Sequence, residues 1–99
     1  MLEKKRYVQF QLERAQPASA EEAKHLVYEA LFDWLGQQGA AQAGTQFKAF
    51  DEKTQQGIVK CKPKAVELVI AALAAKRFYR KESVALRTLR VSGAIGKLT

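Results

Sequence analysis

Ninety-nine residues, 47% of them apolar, suffice for one packed core and not for two, and they argue against wholesale disorder. One cysteine and one histidine exclude an intrachain disulfide and the usual tetrahedral zinc shell of nitrogen and sulfur ligands. Seventeen basic residues against ten acidic ones give a net charge of +7, which suits a polyanionic partner, because cations that neutralise phosphates release condensed counterions.

The charge is uneven along the chain. Residues 1–14 carry four basic and two acidic groups, residues 15–55 three and six, and residues 56–99 ten and two. The longest apolar run of low charge, Leu68–Ala75, falls far short of the roughly 20 residues that cross a bilayer. Met1–Arg14 has no apolar leader segment, so no membrane association and a cytoplasmic protein are expected.

In chain order, Arg6–Glu13 alternates strictly: Val8, Phe10 and Leu12 point one way, Tyr7, Gln9, Gln11 and Glu13 the other. A period of two predicts a half-buried strand, broken by Pro17. Ser19 precedes Glu22 at the spacing of a capping box, which opens a helix. Ala23, Leu26, Val27, Ala30, Leu31, Trp34 and Leu35 then form one apolar face, with Trp34 expected in the core and Gly36 and Gly39 marking the stop. After a loop over Gln42–Gly44, strands are predicted at Thr45–Phe50 and Gly57–Lys62, joined as a hairpin by the short polar stretch Asp51–Gln56. Pro63 suits the first turn of a second helix that runs to about Phe78, with Val66, Val69, Ile70 and Leu73 as its core stripe. A last strand covers Val84 to about Ser92, before Gly93 and Gly96.

This β-α-β-β-α-β order predicts a single α+β domain over residues 1–99, of the ferredoxin-like (RRM-like) class: a four-stranded antiparallel sheet with two helices on one face. The first and third strands are then central. Their open face carries Tyr7, Gln9 and Gln11, together with Ile58, Lys60 and Lys62 if Val59 and Cys61 point inward. RNA-recognition motifs stack bases on aromatics of these strands, but the third strand, Gln56–Lys62, has none. Contacts to the phosphate backbone and to RNA shape fit better.

Three basic sets stand out: Lys4, Lys5 and Arg6; Lys60, Lys62 and Lys64; and Lys76, Arg77, Arg80 and Lys81, followed by Arg87, Arg90 and Lys97. Cations at the end of the second helix also complement its dipole, which is reason enough for the Lys76–Lys81 group. Leu68, Ala71, Ala72 and Ala75 make the other faces of that helix nearly as apolar as its core stripe, as a protein-partner surface would be. Exposed sheet edges are a second place for a partner to add. His25 reads as a surface histidine and Cys61 as a small core residue. No catalytic residue or metal site is indicated. Arg14 lies where an acylphosphatase would hold its phosphate, but the loop lacks the glycines and the chain contains no Asn to orient water. A ligand-binding regulatory module of this fold, or a protein-only adaptor, are the alternatives to an RNA-bound subunit.

The strand Arg6-Tyr7-Val8-Gln9-Phe10, the strand Gly57-Ile58-Val59-Lys60-Cys61 and the ending Leu89-Arg90-Val91-Ser92-Gly93-Ala94-Ile95-Gly96-Lys97-Leu98 resemble the archaeal ribonuclease P protein component 2 family, which is shared with eukaryotic ribonuclease P and ribonuclease MRP. The Val-Ser-Gly-x-Ile ending is the most specific element, and Ala94 stands where Thr is expected. The resemblance implies a non-catalytic subunit of an RNA-based endoribonuclease that removes the 5′ leader of precursor tRNA. The RNA performs the Mg²⁺-dependent hydrolysis, and the chain itself needs no cofactor. The implied partners are ribonuclease P RNA, protein component 3, and a second copy through a homodimeric contact.

Overall fold

A computed structural model describes residues 4–94. Strand β1 (Arg6–Glu13) leads to helix α1 (Ala20–Gln42), then to the hairpin of β2 (Gln46–Asp51) and β3 (Gln56–Cys61). A 3-10 turn at Pro63–Ala65 opens helix α2 (Val66–Ala75). A small hairpin, β4 (Phe78–Tyr79) and β5 (Glu82–Ser83), precedes β6 (Ala85–Ser92). The four long strands form one antiparallel sheet in the order β2-β3-β1-β6, with α1 and α2 packed on one face. The ferredoxin-like expectation holds, and β1 and β3 are central.

The predicted alternation defines the core. Val8, Phe10 and Leu12 of β1, Val59 and Cys61 of β3 and Leu86 of β6 are buried in one cluster with Ala23, Leu26, Val27, Ala30 and Leu31 of α1 and Val69, Ala72 and Leu73 of α2. Burying each larger aliphatic side chain stabilises the fold by about 1.5–3 kcal/mol before entropy is counted. Burial also pushes the Cys61 thiol above its ordinary pKa. Gly57 has an internal role: the Phe10 ring lies over it, so that a Cβ there would sit 2.4 Å from Phe10 Cζ.

Helix α1 starts as predicted, with the Glu22 amide donating to Ser19 Oγ at 3.1 Å. The Glu22 carboxylate instead accepts from Arg14 at 2.7 Å. It does not stop at Gly36 or Gly39. Gly36 takes φ 75° and ψ 167°, a kink, and the helix resumes to Gln42. The stop is Gly44 at φ 66°, in a Schellman arrangement: its amide donates to Ala41 O at 3.1 Å and the Thr45 amide to Ala40 O at 3.5 Å. Trp34, expected in the core, is 56% exposed, because it lines a cleft between the helices in the last turn before the kink.

Helix α2 ends at Ala75, not Phe78. Lys76 is extended, and its ammonium is held by Glu29 at 2.8 Å and Asp33 at 3.0 Å on α1. Tyr79 then turns into the core at 5% exposure.

Both edge strands carry an irregularity. The β2–β3 register slips between Phe47 and Ala49, and the β1–β6 register slips between Gln9 and Phe10. Lys48 and Leu89 are the extra residues. The first slip lets Phe47 and Phe50, three apart, both pack against the core. The second places Arg87 opposite Gln11 and Arg90 opposite Gln9.

Candidate nucleic-acid interface

The open face is built from rows of cross-strand neighbours. Gln46, Lys60, Tyr7 and Ser92 form one row; Ala49, Ile58, Gln9 and Arg90 the next; Asp51, Gln56, Gln11 and Arg87 the third. Without the slip at Leu89, Arg87 and Arg90 would fall on opposite faces of β6, since parity along a strand is two. With it they share the open face with Lys60.

A directed chain of amides crosses this face. Arg90 Nε donates to Gln9 Oε1 at 3.1 Å, Gln9 Nε2 to Gln56 Oε1 at 3.2 Å, and Gln56 Nε2 to Gln11 Oε1 at 3.1 Å. Gln11 Nε2 ends the chain on the carbonyl of Thr54 at 2.8 Å. The chain fixes the orientation of each amide and of the Arg90 guanidinium, so the face is stiff and polar. Tyr7 is the one aromatic that β1 and β3 place there, since Phe10 points inward. Base stacking across the central strands therefore has no platform.

At one end of the face, Lys4, Lys5, Lys60 and Lys62 line a depression of about 140 Å³ together with Gly44 and Cys61. The Lys62 amide donates to Ala43 O at 2.9 Å, and the Lys62 stem lies over Gly44, where a Cβ would be 3.2 Å from Lys62 Cγ. Among the described residues none of these four lysines has a carboxylate within ion-pairing distance. Two basic sets some 55 residues apart in sequence thus line one spot, with no ion-pair partner among the described residues. Four lysines around one depression make its surroundings positive and suited to an anion.

The other predicted RNA residues are dispersed. Arg6 follows the inward parity of Val8, and its guanidinium donates to the Lys5 carbonyl at 2.9 Å. Lys64 lies with Lys62 on the rim of the helical cleft. Arg87 meets Glu13 at 3.4 Å, but both are exposed, so the pair is worth little. Lys97 lies outside the described residues. Arg14, in the loop an acylphosphatase would use, donates to Gln16 O and to Glu22, holding the Glu22 carboxyl below its usual pKa range. It braces the start of α1 and is not presented to an anion. Lys76 is likewise structural.

Of the predicted partner residues, Leu68 is 52% exposed, Ala75 exposed and Ala71 half-buried. Ala72 is a correction: at 1% exposure it belongs to the core against α1. Leu68 lines the helical cleft of about 510 Å³ with Trp34, Leu35 and Ala65. Among the described residues no three His, Cys, Asp or Glu side chains gather to hold a metal ion, and no helix is long and apolar enough to cross a membrane. The sequence reading missed the amide chain, although Gln9, Gln11 and Gln56 at strand positions were its only visible sign.

The chain is similar to known proteins in sequence and in fold. Ribonuclease P protein component 2 of Thermococcus gammatolerans is 41% identical over 96 residues, covering 97% of this chain and 80% of that protein. The Pyrococcus abyssi protein of the same name is 35% identical, over 97% of this chain and 81% of its own length. In fold, the chain resembles a chain of yeast ribonuclease MRP with a TM-score of 0.74 at 8% identity, over 96% of this chain and 78% of that one. Residues 6–99 match the profile of the Rpp14/Pop5 family, and the chain belongs to that family.

Proposed function

We propose that this chain is a protein subunit of ribonuclease P that takes no direct part in bond cleavage. It braces the catalytic RNA while the holoenzyme removes the 5′ leader of precursor tRNA. The observation that carries this reading is the gathering of Lys4, Lys5, Lys60 and Lys62 at one depression, none of them ion-paired among the described residues, on a chain of the Rpp14/Pop5 family. Ammonium groups beside a stiff polar face contact RNA backbone and shape without reading sequence. In this reading hydrolysis and its Mg²⁺ ions belong to the RNA, and the complex is cytoplasmic. The cleft of Trp34 and Leu68 is the surface for protein component 3 or for a second copy of the chain.

The test is reconstitution with ribonuclease P RNA, the remaining protein subunits and precursor tRNA. Lys60→Glu with Lys62→Glu is expected to lower cleavage at least tenfold at moderate salt and to flatten the salt dependence of RNA binding. The melting temperature should be retained, since neither side chain is in an ion pair among the described residues. Unchanged cleavage would remove the depression from the RNA interface.

A further inference from the structure

The β4–β5 hairpin interrupts the expected passage from second helix to last strand, and nothing in the core requires its tip. Tyr79 pairs with Glu82, leaving Arg80 and Lys81 as a two-residue loop with φ of 51° and 70°. Glycine, asparagine and aspartate adopt this left-handed geometry at little cost, and Asn-Gly is the usual choice for such a loop. Two long cationic residues stand there instead. The geometry persists because the flanks are pinned: Tyr79 is 5% exposed, and the Val84 amide donates to Arg77 O at 2.8 Å. A strained turn held in place by its surroundings points to a task at the tip.

The chemistry of that task is on the surface. Phe78 is 62% exposed, the highest value among the exposed large apolar side chains of the described residues. Arg77, Arg80 and Lys81 surround it in sequence, and among the described residues none of them is in an ion pair. Arg80 lies over the Tyr79 ring at 5.2 Å. Its field reaches Glu22, but that carboxylate is already taken by Arg14. An exposed ring among unpaired cations offers a π-face to a base and positive charge to the phosphates on either side of it. An apolar protein partner would leave those cations stranded in the interface.

We infer that the β4–β5 hairpin is a second RNA-contacting element, in which Phe78 stacks on an unpaired base while Arg77, Arg80 and Lys81 engage the adjoining phosphates. This rests on the reading of the chain as an RNA-bound subunit and goes beyond it in place and in chemistry. Strand β1 runs from the lysine depression, near the Arg6–Cys61 pair, to the hairpin end, near the Glu13–Ala85 pair. Eight residues of strand separate the two contacts by roughly 25 Å. The domain is a strut that touches RNA at both ends: duplex or backbone at the lysines, an unstacked nucleotide at the hairpin.

The experiment uses the full chain with a labelled, unstructured RNA of about 12 nucleotides, a length within the range of known single-strand sites, and the same sequence as a duplex. Affinity is read by fluorescence anisotropy across a salt series. Phe78→Ala is expected to weaken binding to the single strand about tenfold without changing the salt slope, and to leave the duplex unaffected; Phe78→Trp restores it. Arg80→Asn with Lys81→Gly is expected to make the salt slope shallower by about 1.4 for the single strand. The same change raises the melting temperature by about 5 °C, because the left-handed turn is relieved. Wild-type affinity in both hairpin variants, with loss in Lys60→Glu/Lys62→Glu, would overturn the inference and leave the subunit reading standing. Absence of binding by the wild-type chain to either RNA would instead undermine the subunit reading itself.

Discussion

Replacing Gly57 by Ala tests the packing argument most directly. The new Cβ would lie 2.4 Å from Phe10 Cζ, 2.8 Å from Cε1 and 3.0 Å from the Ala49 carbonyl. Carbon atoms settle at about 3.5–4.0 Å, so the ring must move by roughly 1 Å. It has no open space to move into, being fully buried and stacked at 6.4 Å on Phe50. Overpacking of this kind costs about 1–3 kcal/mol, and the upper end applies here. Ala returns about 0.5–1 kcal/mol through the lower entropy of its unfolded chain. The net expectation is a loss of about 2 kcal/mol, or roughly 10 °C in melting temperature for a domain of this size. Urea unfolding of a double-mutant cycle provides the assay. In a Phe10→Leu background the two clashing ring carbons are gone, so Gly57→Ala should be nearly neutral, giving a coupling of about 2 kcal/mol. The reasoning fails if Gly57→Ala costs under about 0.5 kcal/mol, or if its cost is the same in both backgrounds.

Two further expectations concern the helices. Gly36→Ala meets no atom within 4 Å, so its cost of about 1–3 kcal/mol is purely backbone strain; a synthetic chain with D-alanine at this position should recover the loss in a thermal melt. Burial works against the Lys76 ammonium, yet its hydrogen bonds to Glu29 and Asp33 outweigh this and raise its pKa. A raised folded pKa means that its stabilisation is complete below the unfolded lysine value, about 10.4, and is lost as pH rises through the folded one. Lys76→Met should cost about 1–2 kcal/mol at neutral pH and flatten the alkaline limb of the stability profile, as read by urea midpoints at pH 8 to 11.5.

The sequence made the central architecture readable because its signals were local and periodic. Val8, Phe10 and Leu12 alternate, Ser19 and Glu22 sit at capping distance, and Pro63 opens a helical turn; the structure keeps each of these. The features that escaped are set by tertiary partners. Nothing in Lys48 or Leu89 announces a register slip, yet each slip reassigns the faces of residues beyond it. Gly36 reads as a stop, but α1 is carried on past it to Gln42, and Ala40 is buried against the rest of the core. The Arg80–Lys81 turn lacks the residues by which such turns are recognised, so its stretch passed for the end of a helix. For the candidate site, composition and the two-residue spacing pointed to Lys60 and Lys62. Their convergence with Lys4 and Lys5 depends on the β1–β3 pairing and could not be read from spacing.

The two register slips have a consequence beyond the faces they assign. Both fall on β2 and β6, the edges of the sheet, while the central β1–β3 ladder runs unbroken. An uninterrupted edge is a template on which another chain can zip, and a bulge in mid-strand removes it. Proteins crowded along one polyanion meet their own copies at high local concentration, where sheet-to-sheet growth is most dangerous. Here both edges are blunted as templates, which disfavours continued strand-to-strand growth between copies.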